Sequence, residues 1–183
     1  MRPNPNLQNE NVAEYLLYIF QIEALIRTLD LDINRIETEL LAPAFPNPDH
    51  LPHQLSWYQG VVLEMRQRGL QKEGHLDQVE EILLELIYLH NTLLTILNDE
   101  KYKGLCDHAT EALQAFKTKS NMANRHDIEA LLHAMFMKLQ LKMKKQDISP
   151  ETEAAFDLFR IQLAYLSQNY QRMKAGELNF IQN

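Results

Sequence analysis

The chain is poor in several residue types, and each scarcity excludes something. It has one cysteine, Cys106, which cannot close an internal disulfide or supply the several thiolates of a structural zinc site, and this agrees with a reducing compartment. Its apolar runs are short, Tyr15 to Phe20 being among the longest, whereas a membrane-spanning helix needs about 20 apolar residues. The opening MRPNPNLQNEN lacks the basic and apolar regions of a secretory signal. These features predict a cytoplasmic protein with no membrane partner. Basic residues are also outnumbered, 18 Lys and Arg against 25 Asp and Glu, for a net charge of -7. That balance argues against a nucleic-acid partner, because phosphate binding needs a concentrated positive surface. The deficit lies in the first half: residues 1–91 carry net -8 and residues 92–183 net +1.

Glycine is scarce too, at five residues, and proline gathers at positions 3–5, 43–52 and 150. Long intervals therefore contain no helix breaker. With 183 residues and 45% hydrophobic content, the chain can bury one sizeable core. The predicted architecture is all-α, a single-domain helical bundle over residues 1–183 with about seven helices, six long and one short. Residues 1–8 are expected to be a flexible start and 177–183 a tail.

The helices follow from apolar residues repeating at steps of three and four. The first covers about 9–29 through Val12, Tyr15, Ile19, Ile22, Ile26 and Leu29, with Glu23 placed to pair with Arg27. A short helix over about 33–41 follows the capping residue Asp32. The third covers 52–68 through Leu55, Tyr58, Val62 and Met65, and ends at Gly69. The fourth, 75–97, has the cleanest seam: Leu76, Val79, Leu83, Leu86, His90, Leu93 and Leu97. The fifth, 100–117, uses Tyr102, Leu105, Ala109, Leu113 and Phe116; the sixth, 125–145, uses Ile128, Leu132, Met135, Leu139 and Met143. Ser149 and Pro150 start the seventh, which runs through Phe156, Phe159, Leu163, Leu166, Tyr170 and Met173 to Gly176.

NVAEYLLYIFQIEALIR at 11–27, EGHL at 73–76 and KKQDISPETEAA at 144–155 together resemble a bacterial family catalogued as domain of unknown function number 4924. The resemblance implies a small bacterial helical protein. It brings no activity, ligand or catalytic residue with it.

Several constellations bear on chemistry. Asn11, Glu14, Tyr18 and Gln21 form a polar row beside the first apolar seam. Read functionally, they wall a ligand pocket in which Glu14 is the acid or base, with His75 reaching in from its loop. Read structurally, they are a boundary stripe bonded to loops or water. His90 occupies a seam position and reads as a satisfied core histidine. His126, Glu129 and His133 share a helical face but lack a further ligand for zinc. Asp30, Asp32 and Asn34 imitate a calcium loop until Arg35 stands where glycine is needed. Arg68 and His75 have a spacing that resembles the signature of HEPN-type ribonucleases, yet they span a glycine-containing loop. Asp77, Glu81 and Glu85 make an acidic row; Lys138, Lys142 and Lys145 make a basic one. Trp57 and Tyr58 are aromatics placed to fill a bundle end or to meet a protein.

No catalytic residue, metal site or cofactor is assigned. The leading expectation is a non-catalytic helical-bundle protein acting through a protein partner or self-association. The alternatives are a small-molecule-binding protein or enzyme using Asn11, Glu14, Tyr18, Gln21 and His75, and a metal-binding bundle.

Overall fold

The computed structural model describes residues 6–45, 49 and 51–178, and within them all regular structure is helical. The elements are α1 (Leu7–Glu10), α2 (Val12–Thr28), α3 (Ile33–Arg35), a π-helical segment (Ile36–Leu41), α4 (Ala42–Ala44), α5 (Leu51–Gln67), α6 (Asp77–Thr95), α7 (Glu100–Lys119), α8 (Asp127–Met143) and α9 (Pro150–Lys174). The six long helices are those the seams predict. Pro46, Pro48, His50, the first five residues and the last five of the tail lie outside the described residues.

Two local differences have physical causes. The first predicted helix is split at Asn11, whose backbone is extended (φ -157°). Its Oδ1 accepts the Glu14 N–H at 3.2 Å, so Asn11 caps α2, as short polar side chains do. Leu7 and Gln8, expected in a flexible start, belong to α1. The short helix runs further than predicted, to Ala44. Asp32 starts it by accepting the N–H groups of Asn34 and Arg35 at 2.8 and 3.4 Å, and the π segment buries Ile36 and Leu41.

The chain divides into two compact units, one containing Tyr18–Glu80 and the other Asn6–Leu17 with Glu81 onward. In the first, Ile19, Ile22, Ile26, Tyr58, Val62 and Met65 are buried, which is the predicted three-and-four pattern of α2 and α5. The reversal after α2 uses Asp30 and Leu31 at φ near +55°, and the Leu31 carbonyl accepts from Arg66 of α5 at 2.9 Å.

In the second unit α7, α8 and α9 pack on one another. Of their predicted seams, Tyr102, Ala109 and Leu113, then Ile128 and Leu132, then Phe156, Phe159, Leu163, Leu166 and Tyr170 are buried, while Leu105, Phe116, Met135, Leu139 and Met173 are half-buried. The seam of α8 ends sooner than predicted, since Met143 is 68% exposed. Two lysines lie inside. Lys117 pairs with Asp127 at 2.6 Å, and Lys138 meets Glu153 at 2.8 Å and lies over the Phe156 ring. Two members of the basic row, Lys138 and Lys142, thus find their acids on α9. Glu85 of the acidic row takes Lys174 and the Tyr170 hydroxyl instead, each at 2.5 Å. No helix among the described residues is long and apolar enough to cross a membrane.

Candidate functional site

The predicted polar row is divided by the fold. Asn11 and Glu14 fall in the second unit, where Asn11 caps α2 and Glu14 is exposed. Tyr18 and Gln21 fall in the first and are half-buried, with the Tyr18 phenol pushed above its usual range by burial. His75 shares their unit, but its partner is a residue outside the row.

That partner is Glu23, whose side chain is fully buried. A carboxylate removed from water needs its oxygens satisfied, and both are. Oε1 accepts the Leu76 N–H at 2.8 Å and Oε2 lies 2.7 Å from His75 Nδ1. Because an ionised carboxylate can only accept, this geometry puts the imidazole proton on Nδ1. Phe20 stacks on the same ring at 4.2 Å between centroids. Arg27 stands 4.0 Å from Glu23, and its guanidinium donates to the carbonyls of Leu70 at 3.0 Å and Gly74 at 2.5 Å.

A second arginine completes the arrangement. Arg68 donates to the His75 carbonyl at 2.5 Å while pairing with Asp77 at 3.0 Å and Glu80 at 2.9 Å. Gly74 makes the loop possible: its φ is +93°, and a Cβ there would stand 2.7 Å from the Leu70 side chain. Glu23, Arg27 and Arg68 therefore hold residues 70–76 by charge-assisted hydrogen bonds, the strong kind. His75 is part-exposed, at 27% of its side chain, as is Arg68, and its carboxylate partner orients the ring as a base would require. The Arg68–His75 pair that resembles a ribonuclease signature is tied into this loop through the His75 backbone.

The sequence signal for Glu23 lies in the helical register. It follows Phe20 by three residues and Ile19 by four, so it shares the buried face of α2, where a charge demands a partner. Reading it only as the helical neighbour of Arg27 overlooked His75 and Leu76.

The second unit holds its own buried polar group. His90 is 7% exposed and its Nδ1 is 2.8 Å from the Tyr102 hydroxyl. Burial pushes the Tyr102 phenol far upward, so it keeps its proton and donates to the ring. Burial first, and His126 second, pull His90 down to about 4. His126 meets His90 edge-on at 5.4 Å, and its Nδ1 accepts the Ile128 N–H as the cap of α8. Cys106 lies in the same group, accepting from Gln162 at 3.2 Å; burial raises its thiol to about 11, which keeps it protonated and unreactive. His133 is exposed. Among the described residues, no three His, Cys, Asp or Glu side chains are grouped as a metal ion requires.

On the outer face of α6 the pattern is reversed. Leu84 is 66% and Tyr88 58% exposed, one helical turn apart, with exposed Glu81, Asn91 and Thr95 along the same face. Both apolar residues belong to the second unit.

Comparison with known proteins adds the family. The model described as Domain of unknown function (DUF4924) matches residues 2–177, so the chain belongs to that family. No curated protein and no solved structure matches the chain.

Proposed function

We propose that this member of the family is a cytoplasmic, non-catalytic helical protein that works by binding another protein chain, through the face of α6 that carries Leu84 and Tyr88. The observation that carries the reading is that pair. A leucine and a tyrosine exposed side by side on a helix, rimmed by polar residues, have the composition of a small interface centre. The main ionisable groups of the two units support it from the other side. Glu23, His90, Lys117 and Lys138 are engaged by neighbours in their own unit, and so serve the fold.

The test is recovery of the tagged chain under native conditions from its own cell, in parallel with a Leu84→Glu, Tyr88→Glu variant. The reading expects a partner, another protein or a second copy, at constant ratio with the wild type and at least tenfold less with the variant, while circular dichroism stays unchanged. Identical recovery with both chains would remove this face from the function.

A second reading, ligand binding at His75, is favoured by one observation: the Glu23 carboxylate orients an imidazole that is part-exposed. A His75→Gln variant with unaltered ligand binding would set it aside.

A further inference from the structure

The second unit contains a cavity of about 380 Å³, open to solvent and lined by Leu93, Leu97, Asp99, Asn169, Arg172, Glu177 and Leu178. Its size falls at the lower end of the range for small-ligand pockets, about 300–1,000 Å³. The lining is of two kinds. Leu97 is half-buried and Leu178 keeps 8% of its surface exposed, so these two offer the accessible apolar wall, with Leu93, 1% exposed, packed behind them. The remaining groups carry charges of both signs and amide polarity.

The polar groups are held in place through Tyr165. Its hydroxyl donates to Asp99 Oδ2 at 2.8 Å, while Asp99 Oδ1 accepts the Tyr102 N–H at 2.9 Å. Its carbonyl accepts from Asn169 Nδ2 at 3.0 Å, and Asn169 Oδ1 in turn accepts from Arg172 at 3.1 Å. Asn169 is only 2% exposed. The carboxylate and the guanidinium are thus both anchored to one tyrosine, which itself stacks on Tyr102 at 5.8 Å. Among the described residues, the Arg172 guanidinium donates only that one hydrogen bond, leaving most of its five N–H donors for something else.

The charges decide the ligand class. A ligand bearing only a negative charge would meet Arg172 but also two carboxylates, Asp99 and Glu177. One bearing only a positive charge would satisfy the carboxylates and leave the guanidinium opposed. A ligand with one charge of each sign and a short aliphatic chain matches all three features of the lining. We infer that this cavity binds a small aliphatic zwitterion of the α-amino-acid type, its carboxylate on Arg172, its ammonium on Asp99 and Glu177, and its side chain against Leu97 and Leu178. This binding is separate from the α6 face and stands or falls independently of it.

The experiment is isothermal titration of the full chain with leucine, with leucinamide, which lacks the carboxylate, and with 4-methylpentanoate, which lacks the ammonium. Saturable binding of leucine is expected with a Kd of about 1 mM or below, and at least tenfold weaker binding of both analogues. Arg172→Gln should weaken leucine at least tenfold and Glu177→Gln several-fold. Both residues are exposed, so the variants are expected to fold, which circular dichroism checks. Absence of saturable leucine binding, an analogue that binds as well as leucine, or an Arg172→Gln chain with unchanged affinity would each overturn the inference.

Discussion

Lowering the pH from about 7 to about 4 should destabilise the second unit, because His90 must then take up a proton that its surroundings resist. The ring is buried and already accepts the Tyr102 hydroxyl at Nδ1, so protonation there removes the acceptor as well as placing a charge out of water. Its pKa is about 4 in the folded chain, against an ordinary value of 6.5. Since the folded value is the lower one, the unfolded chain gains its proton first as pH falls. The stabilisation is complete above about pH 6.5 and is lost progressively down to about pH 4. At about 1.4 kcal/mol for each pH unit, the loss at pH 4 comes to about 3 kcal/mol. That is a large part of the roughly 5–15 kcal/mol that holds a domain together.

The assay is urea unfolding followed by circular dichroism at a series of pH values, for the wild type and for His90→Gln. The glutamine amide can still accept the Tyr102 hydroxyl but does not titrate. Other groups titrate in both chains, so the difference between them isolates His90. The wild type should lose about 3 kcal/mol more than the variant between about pH 7 and pH 4. Equal losses, to within about 0.5 kcal/mol, would refute the assignment of His90 as a neutral core base.

Three further outcomes follow from packing. Glu23→Ala leaves the Leu76 N–H unpaired and His75 and Arg27 without their acid, and should cost about 3 kcal/mol in urea unfolding, with faster amide exchange over residues 70–76. Leu86, only 1% exposed, should cost about 2–5 kcal/mol when replaced by Ala, seen as a lowered urea midpoint. Gly74→Ala faces both a positive φ and the Leu70 side chain, so a fall of about 1–2 kcal/mol is expected by the same measurement; a gain in stability there would show that the loop relaxes freely.

The helices were legible because each long one keeps a row of three-and-four spacing that is apolar throughout except for His90 in α6. All six seam residues of the first helix, from Val12 to Leu29, are buried, and the Ser149–Pro150 start is where α9 begins, with Ser149 Oγ accepting the Thr152 N–H. What was not legible depends on contacts distant in sequence. His75 was expected to reach in from its loop, yet its partner Glu23 lies 52 residues away, and no local spacing names such a pair. The break at Asn11 was missed because a capping asparagine and a helical asparagine look alike within a continuous apolar row. Met143 kept the period of its seam but is 68% exposed; periodicity assigns a face to a residue and does not say how far the neighbouring helix extends.

Whether Leu84 and Tyr88 meet another protein chain is read out by the rate of hydroxyl-radical modification at Tyr88 in the isolated chain and in the complex recovered from its own cell. Fast modification is expected in the isolated chain, where Tyr88 is 58% exposed, and several-fold protection in the complex, with Met143 unprotected. Equal rates at Tyr88 in the two samples would show that this face meets no partner.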